Sequence, residues 1–138
     1  MEKLELEKDI KVFYVTARSF PEGIKEATDK LHSLFSFSEQ RKIFGLSRPE
    51  KGREIVYRAA AEELEVGEAE RLHCETLIIK KGRYYSITVH DFRKDLMSID
   101  RAFKELLKLP DLDPQGYCVE WYSTTDESVR CMIRSISV

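Results

Sequence analysis

One carboxylate stands out by its surroundings. In Gly116-Tyr117-Cys118-Val119-Glu120-Trp121-Tyr122 an acidic residue sits in the middle of an aromatic, β-prone run. Side chains of a β-strand alternate between faces, so Cys118, Glu120 and Tyr122 share one side and Tyr117, Val119 and Trp121 the other. The second set is the more apolar, and this parity predicts that it packs against the helices while Glu120 points away from them, with Tyr122 beside it. On an open face Glu120 is an ordinary solvated carboxylate, the commonest state of a glutamate. Lining a cleft, it becomes a buried charge among aromatic rings. There it can hold a cation, or give and take a proton near neutral pH.

The other chemistry-bearing residues are mostly aromatic. Tyr14, Tyr57, Tyr84, Tyr85, Tyr117 and Tyr122 all fall in runs that read as strands. Most of them serve packing, with the hydroxyl at the surface. A minority can stack on a flat ligand and hold a cation against a ring face. Tyr122 leads this group because it shares a side with Glu120, Tyr85 follows, and Tyr57 and Trp121 complete the candidate ligand-binding set. Ile79-Lys80-Lys81-Gly82-Arg83-Tyr84-Tyr85 reads as a strand broken by a glycine, a bulge or bend with a cationic edge. Arg41, Lys42, Arg48, Lys51 and Arg53 cluster around one hairpin, but acidic neighbours dilute them. His73 and Cys74 are adjacent, so in a strand they point apart and share no metal. No nucleophile elbow, phosphate-cradling glycine loop or spaced ligand set is present, and neither metal nor cofactor is expected.

Two helical stripes position these residues. Ile24, Ala27, Leu31, Leu34 and Phe35 recur at helical spacing over 21–36, and Leu96, Ile99, Phe103, Leu106 and Leu107 repeat that spacing over 93–108. Each stripe follows a β-rich run, 12–20 (VFYVTARSF) and 84–92 (YYSITVHDF), in which Phe20 and Phe92 hold equivalent places. Each precedes a pair of short strands around a polar turn, 43–48 with 54–61 and 117–123 with 129–137. The chain therefore reads as two half-repeats, about 8–61 and 72–138, joined by a charged linker at 62–71. Neither half has enough core to fold alone. Together they predict one α+β domain over 1–138. It is a duplicated strand–helix–strand–strand chain with pseudo-two-fold symmetry, an antiparallel sheet of about six strands, two helices on one face and a central cleft at the seam. Aligning the two hairpins by a shift of 74 makes Leu46 the counterpart of Glu120. The expected cleft is thus charged on one side and apolar on the other, suited to a lipophilic cation.

Size and composition bound the rest. The chain of 138 residues is the size of one ordinary domain. Its 35% charged residues belong on surface faces, and fourteen Phe, Tyr and Trp residues argue against disorder. A formal charge of −2 argues against bulk nucleic-acid affinity. Three cysteines without CxxC spacing read as reduced, and no apolar run approaches the roughly 18 residues of a membrane span. The N-terminal MEKLELEKD is too charged for a signal peptide, so a cytoplasmic location is expected.

These residues resemble the gyrase-inhibitor-like (GyrI-like) small-molecule-binding domains, which also form the effector-binding domains of multidrug-responsive and AraC-type transcription regulators. The likeness covers nearly all of 8–138. Ile79-Lys80-Lys81-Gly82-Arg83-Tyr84 resembles the family's apolar–Pro–small–Gly–x–Tyr strand, with Lys80 where the family has proline. Val119-Glu120-Trp121-Tyr122 resembles its Glu–x–Tyr strand. Phe44-Gly45-Leu46-Ser47 and Ile55-Val56-Tyr57 resemble the corresponding first-half hairpin. The resemblance implies a two-fold pseudo-symmetric α+β sandwich whose pocket carboxylate is Glu120, ringed by aromatics including Tyr122. Its ligands would be lipophilic, often planar or cationic, with no bound cofactor.

Three functions compete. The first is a stand-alone binding module for hydrophobic, cationic or planar aromatic molecules. It would not contact DNA directly, since about ten residues before the first strand leave no room for a helix-turn-helix. The second is a hydrolase of strained, cyclopropane-type electrophiles, with Glu120 as acid or base and Tyr122 or Tyr85 steadying the developing oxyanion. The third is a protein-interaction module such as a gyrase inhibitor, which needs a protein partner and no cleft.

Overall fold

The computed structural model describes residues 1–50, 52 and 54–136. Eight strands form one antiparallel sheet: β1 (Glu2–Leu6), β2 (Ile10–Thr16), β3 (Ile43–Glu50), β4 (Glu54–Glu62), β5 (Glu75–Ile79), β6 (Gly82–Val89), β7 (Cys118–Tyr122) and β8 (Val129–Arg134). Three helices accompany them: α1 (Ile24–His32), α2 (Glu68–Arg71) and α3 (Ser98–Leu106). The expected α+β architecture is present, with more strands than the six expected. Lys51, Arg53 and Ser137, which the sequence reading placed in a turn and a strand end, lie outside the described residues.

The strand order is β1-β6-β8-β7-β3-β4-β2-β5. It is palindromic: β2, β4 and β3 on one side of the seam occupy the places of β6, β8 and β7 on the other. The two added strands are exchanged between the ends. β1 precedes β2 in the chain yet pairs with β6, and β5 precedes β6 yet pairs with β2. The segment around Gly82 is therefore no broken strand. It is the passage from one end of the sheet to the other, and the Lys81 amide donates to Asp9 Oδ1 there at 2.8 Å. This corrects the bulge reading.

Register shows which face each residue occupies, because directly opposed residues share a face. Tyr57, Ala59 and Ala61 of β4 oppose Ser47, Gly45 and Ile43 of β3. These in turn oppose Cys118, Glu120 and Tyr122 of β7. This is the face that carries both helices. α1 seats Ala27 and Leu31 against Phe13, Tyr57, Ala59 and Ala61. α3 seats Ala102, Phe103 and Leu106 against Val129, Cys131 and Ile133. The large apolar side chains among these, such as Leu31, Phe13 and Leu106, each contribute roughly 1.5–3 kcal/mol to stability.

The opposite face is buried as well. Phe44, Leu46, Val119 and Met132 form a cluster there with Ile10, Ile79 and Tyr84 from the two ends of the curled sheet. This overturns the parity argument: Val119 and Trp121 turn away from the helices, and Glu120 lies on the helical face. The argument failed because both faces of β7 are covered, so relative apolarity does not tell them apart.

Both helices are shorter than the stripes that suggested them. Leu34 and Phe35 follow the end of α1, yet Phe35 still packs edge-on against Phe13, ring centroids 5.9 Å apart. Phe92–Lys94 is a separate 3-10 turn, and Leu96, in the bend before α3, is 87% exposed. The linker is anchored through α2. Arg41 makes two bonds to Glu68, at 2.9 and 2.8 Å, and a third to the Glu62 carbonyl at 2.7 Å. The guanidinium beside it holds the Glu68 carboxyl down at about 2.

Candidate functional site

The helices cover the flanks of their face and leave its middle to side chains from the strands. α1 packs on β2 and β4, and α3 packs on β6 and β8. Between them lies the β3–β7 seam. Of its five register pairs, the central one is Gly45 opposite Glu120. Leu46 faces the other side, opposite Val119, so it is not the counterpart of Glu120 that a shift of 74 suggested. Gly45 is.

Gly45 has a clear physical role. A Cβ on it would lie 2.2 Å from the Tyr57 hydroxyl and 2.9 Å from the ring carbon bearing it. A glycine in mid-strand thus lets the Tyr57 ring lean across β3 toward Glu120. Tyr57 is only 2% exposed, and its hydroxyl meets those of Tyr122 and Thr28. Tyr122 in turn donates a hydrogen bond to Glu120 Oε1. One carboxylate and two phenols therefore form a connected polar group in the seam.

Aromatic rings close over it from both sides. Phe20 stacks on Tyr57, centroids 6.3 Å apart and planes 26° apart. Phe92 meets Tyr122 edge-on at 5.6 Å. The two phenylalanines that hold equivalent places before the helices thus cap the two tyrosines of the seam. Cys131 is the cross-strand partner of Glu120, and Cys118 sits two residues before it.

Burial sets the electrostatics. Desolvation pushes the Glu120 carboxyl up to about 7, against the opposing pull of the Tyr122 hydrogen bond. Near neutral pH it is about half ionised. Burial also raises Tyr57 and Tyr122, and the Glu120 charge raises both further. The Cys118 and Cys131 thiols rise to about 11 and about 12 for the same two reasons, so both stay protonated and act as apolar wall. Among the described residues no group of three or more His, Cys, Asp or Glu is placed to hold a metal ion.

The sequence candidates divide. Glu120, Tyr122 and Tyr57 come together. Tyr85 lies on the same face but away from the seam, its hydroxyl donating to Asp111 at 2.7 Å. Trp121 is on the other face, tilted against Phe44 at 5.4 Å and beneath the Arg130 guanidinium at 5.5 Å. It does line a cavity of about 310 Å³ formed by residues 39–42 and 121–124, which opens beside Tyr122. Phe20 and Phe92 were legible as equivalent positions, and a mid-strand glycine is the signal that would have found Gly45. Of the hairpin cations, Arg41 is buried against Glu68 and Arg48 stacks on Tyr117 at 4.1 Å, so these two do not join a common surface patch.

No family model matches this chain. No curated protein matches it either. Solved structures do. The integron cassette protein VCH_CASS2, from the mobile metagenome of Vibrio cholerae, matches with a TM-score of 0.70 at 12% identity, covering 97% of this chain and 94% of its own. SAV2435, solved bound to tetraphenylphosphonium, matches with a TM-score of 0.60 at 11% identity, again covering 97% and 94%. A protein from Staphylococcus aureus MU50, provisionally described as a bacterial transcription regulation protein, matches with a TM-score of 0.57 at 10% identity over 97% of each chain. The chain shares its fold with a small-molecule-bound protein and with a regulator-like one. No helix among the described residues is long and apolar enough to cross a membrane.

Proposed function

We propose that this chain is a GyrI-like, single-domain binding module of two half-repeats that takes lipophilic cations into the seam between α1 and α3. The observation that carries the reading is Glu120, a carboxylate in a seam otherwise walled by Tyr57, Tyr122, Phe20, Phe92 and two protonated thiols. An ionised carboxylate in so dry a place is unfavourable alone and favourable beside a cation. Ring faces attract the same charge and accept flat apolar surface without hydrogen-bond demands. Delocalised cations, which give up hydration water easily, fit this chemistry better than ammonium ions. SAV2435, of the same fold, is bound to such a cation, and this supports the choice of ligand class. We place the module in the cytoplasm, with a small molecule as the partner of this domain.

The test is calorimetric titration of tetraphenylphosphonium into wild type and Glu120→Gln. The expected result is binding to wild type, weakened at least about tenfold in the variant, because a charge-assisted contact is worth roughly 1.5–3 kcal/mol. Equal affinity in both proteins overturns the proposal.

A second reading has its own observation. A carboxyl at about 7, hydrogen-bonded to a tyrosine, is a proton donor poised at neutral pH. It supports hydrolysis of a strained, cyclopropane-type electrophile. As a strained ring bond breaks, Glu120 would give its proton to the carbon or oxygen released, water would add to the opened carbon, and the proton lost by that water would return to the Glu120 carboxylate. Turnover that is no faster in wild type than in Glu120→Gln rejects it.

A further inference from the structure

Behind the seam, on the other face of the same strands, lies a cavity of about 410 Å³. It is a separate compartment: Val119 lines it, while the next residue, Glu120, points to the helical side. Its walls are apolar, from Leu77, Ile79, Tyr84, Tyr117 and Val119. Its charges are of the opposite kind to those of the seam. Among the described residues, Arg48, Lys80 and Arg134 line it against a single carboxylate, Asp113.

That carboxylate is already engaged, bonded to Arg134 at 3.1 Å and to the Gln115 amide at 2.9 Å. The arginines are held in place. Arg48 lies 4.1 Å over the Tyr117 ring, bonding the Gln115 carbonyl through Nη1 at 2.7 Å and Glu50 through Nε at 3.3 Å. Arg134 bonds the Lys81 carbonyl through Nε at 3.0 Å. It rests on Gly82, where a Cβ would come within 3.1 Å of its Nε and Nη2. Gly82 has φ +134°, a conformation that side chains rarely adopt. The glycine that interrupts Ile79–Tyr84 in the sequence thus makes the seat for a guanidinium. Nη2 of both arginines makes no hydrogen bond among the described residues.

We infer that this cavity binds an amphipathic monoanion, a carboxylate carried on a flat or short aliphatic apolar body. The apolar walls take the body, and pre-positioned guanidinium groups take the carboxylate, a pairing for which the planar fork of arginine is suited. A volume of this size falls in the range of small-molecule sites.

The test is an NMR titration with 2-naphthoate, and with neutral 2-naphthamide as its isostere, following the amides of Gly82 and Gly116. Naphthoate is expected to shift both amides and to bind about tenfold or more tightly than naphthamide. Arg48→Gln and Arg134→Gln are expected to weaken it about tenfold each. Because these arginines also hold the chain around Asp113, Lys80→Gln, at an exposed position, supplies the independent measurement, with a loss of about two- to fivefold that is screened by salt. Glu120→Gln should leave naphthoate affinity unchanged. Equal binding of acid and amide, or an affinity indifferent to both Lys80→Gln and the arginine changes, overturns the proposal. So do shifts confined to the neighbours of Glu120, or no shift at millimolar ligand.

Discussion

If the seam binds a cation through Glu120, its affinity must follow the ionisation of that one group. Tetraphenylphosphonium does not titrate, so the protein supplies the entire pH dependence. With the carboxyl at about 7, only the ionised fraction is competent. The apparent dissociation constant then rises by about 11-fold at pH 6 and about 1.1-fold at pH 8 over its limiting value. Wild type should therefore bind about tenfold more weakly at pH 6 than at pH 8. Binding at pH 7 should release about half a proton, visible as a difference in apparent enthalpy between buffers of different ionisation heat. The groups facing Glu120 from the surrounding elements are Tyr57 of β4, Tyr122 and Cys118 of β7, Cys131 of β8 and Thr28 of α1. None of them titrates between pH 6 and 8. Glu120→Gln isolates the contribution of this one carboxyl, since it must flatten the profile. A wild-type affinity constant from pH 6 to 8, or a gradient that survives in the variant, refutes the reasoning.

Three further outcomes follow. Because the folded pKa of Glu120 lies above the unfolded one, its ionisation destabilises the native state progressively between about pH 4.5 and 7, by up to about 3 kcal/mol. Glu120→Gln should therefore be more stable than wild type at pH 8 in urea unfolding, and a less stable variant there contradicts the burial argument. Glu68 has the opposite sign: its lowered pKa gives stability that is present above about pH 4.5 and lost as pH falls toward 2. Arg41→Ala, which strands that carboxylate, should cost about 3–5 kcal/mol at pH 7, and a loss below about 1 would show the pair to be incidental. Gly45→Ala should cost about 1–3 kcal/mol through its collision with Tyr57, and less in a Tyr57→Phe background, so strictly additive losses would mean that the ring does not lean on Gly45.

The elements were legible where local pattern and burial agree. The stripes containing Ala27, Leu31, Phe103 and Leu106 marked both helices, and the β-prone runs marked six of the strands. β1 and β5 were not legible, for a physical reason. They are short edge strands, and β1 is rich in charge, as edges that avoid self-pairing are. Their partners belong to the other half of the chain, a relation that no window of neighbouring residues carries. The candidate site was legible in its centre, Glu120 with Tyr122, because parity along one strand is a local property. Its orientation was not. That depended on whether the sheet's second face stays open, and the curl that buries Phe44, Leu46 and Met132 is a property of the whole sheet.

The seam also explains why so symmetric a frame can hold a single charge. Gly45 and Glu120 occupy matching places and oppose each other directly. Cβ atoms of such partners lie roughly 4.5–5.5 Å apart. Two carboxylates at that separation in a dry site would share a proton and carry the same net charge as one, while filling the space that the Tyr57 ring takes over Gly45. Two glycines would leave no charge at all. One of each keeps a carboxylate on one strand and frees the other strand for the Tyr57 ring, whose hydroxyl joins that of Tyr122 beside Glu120. The pair Gly45 and Glu120 thus sets the electrostatics of the seam. A substitution at Gly45 acts on the same charge as a substitution at Glu120, through the tyrosine that the missing side chain admits.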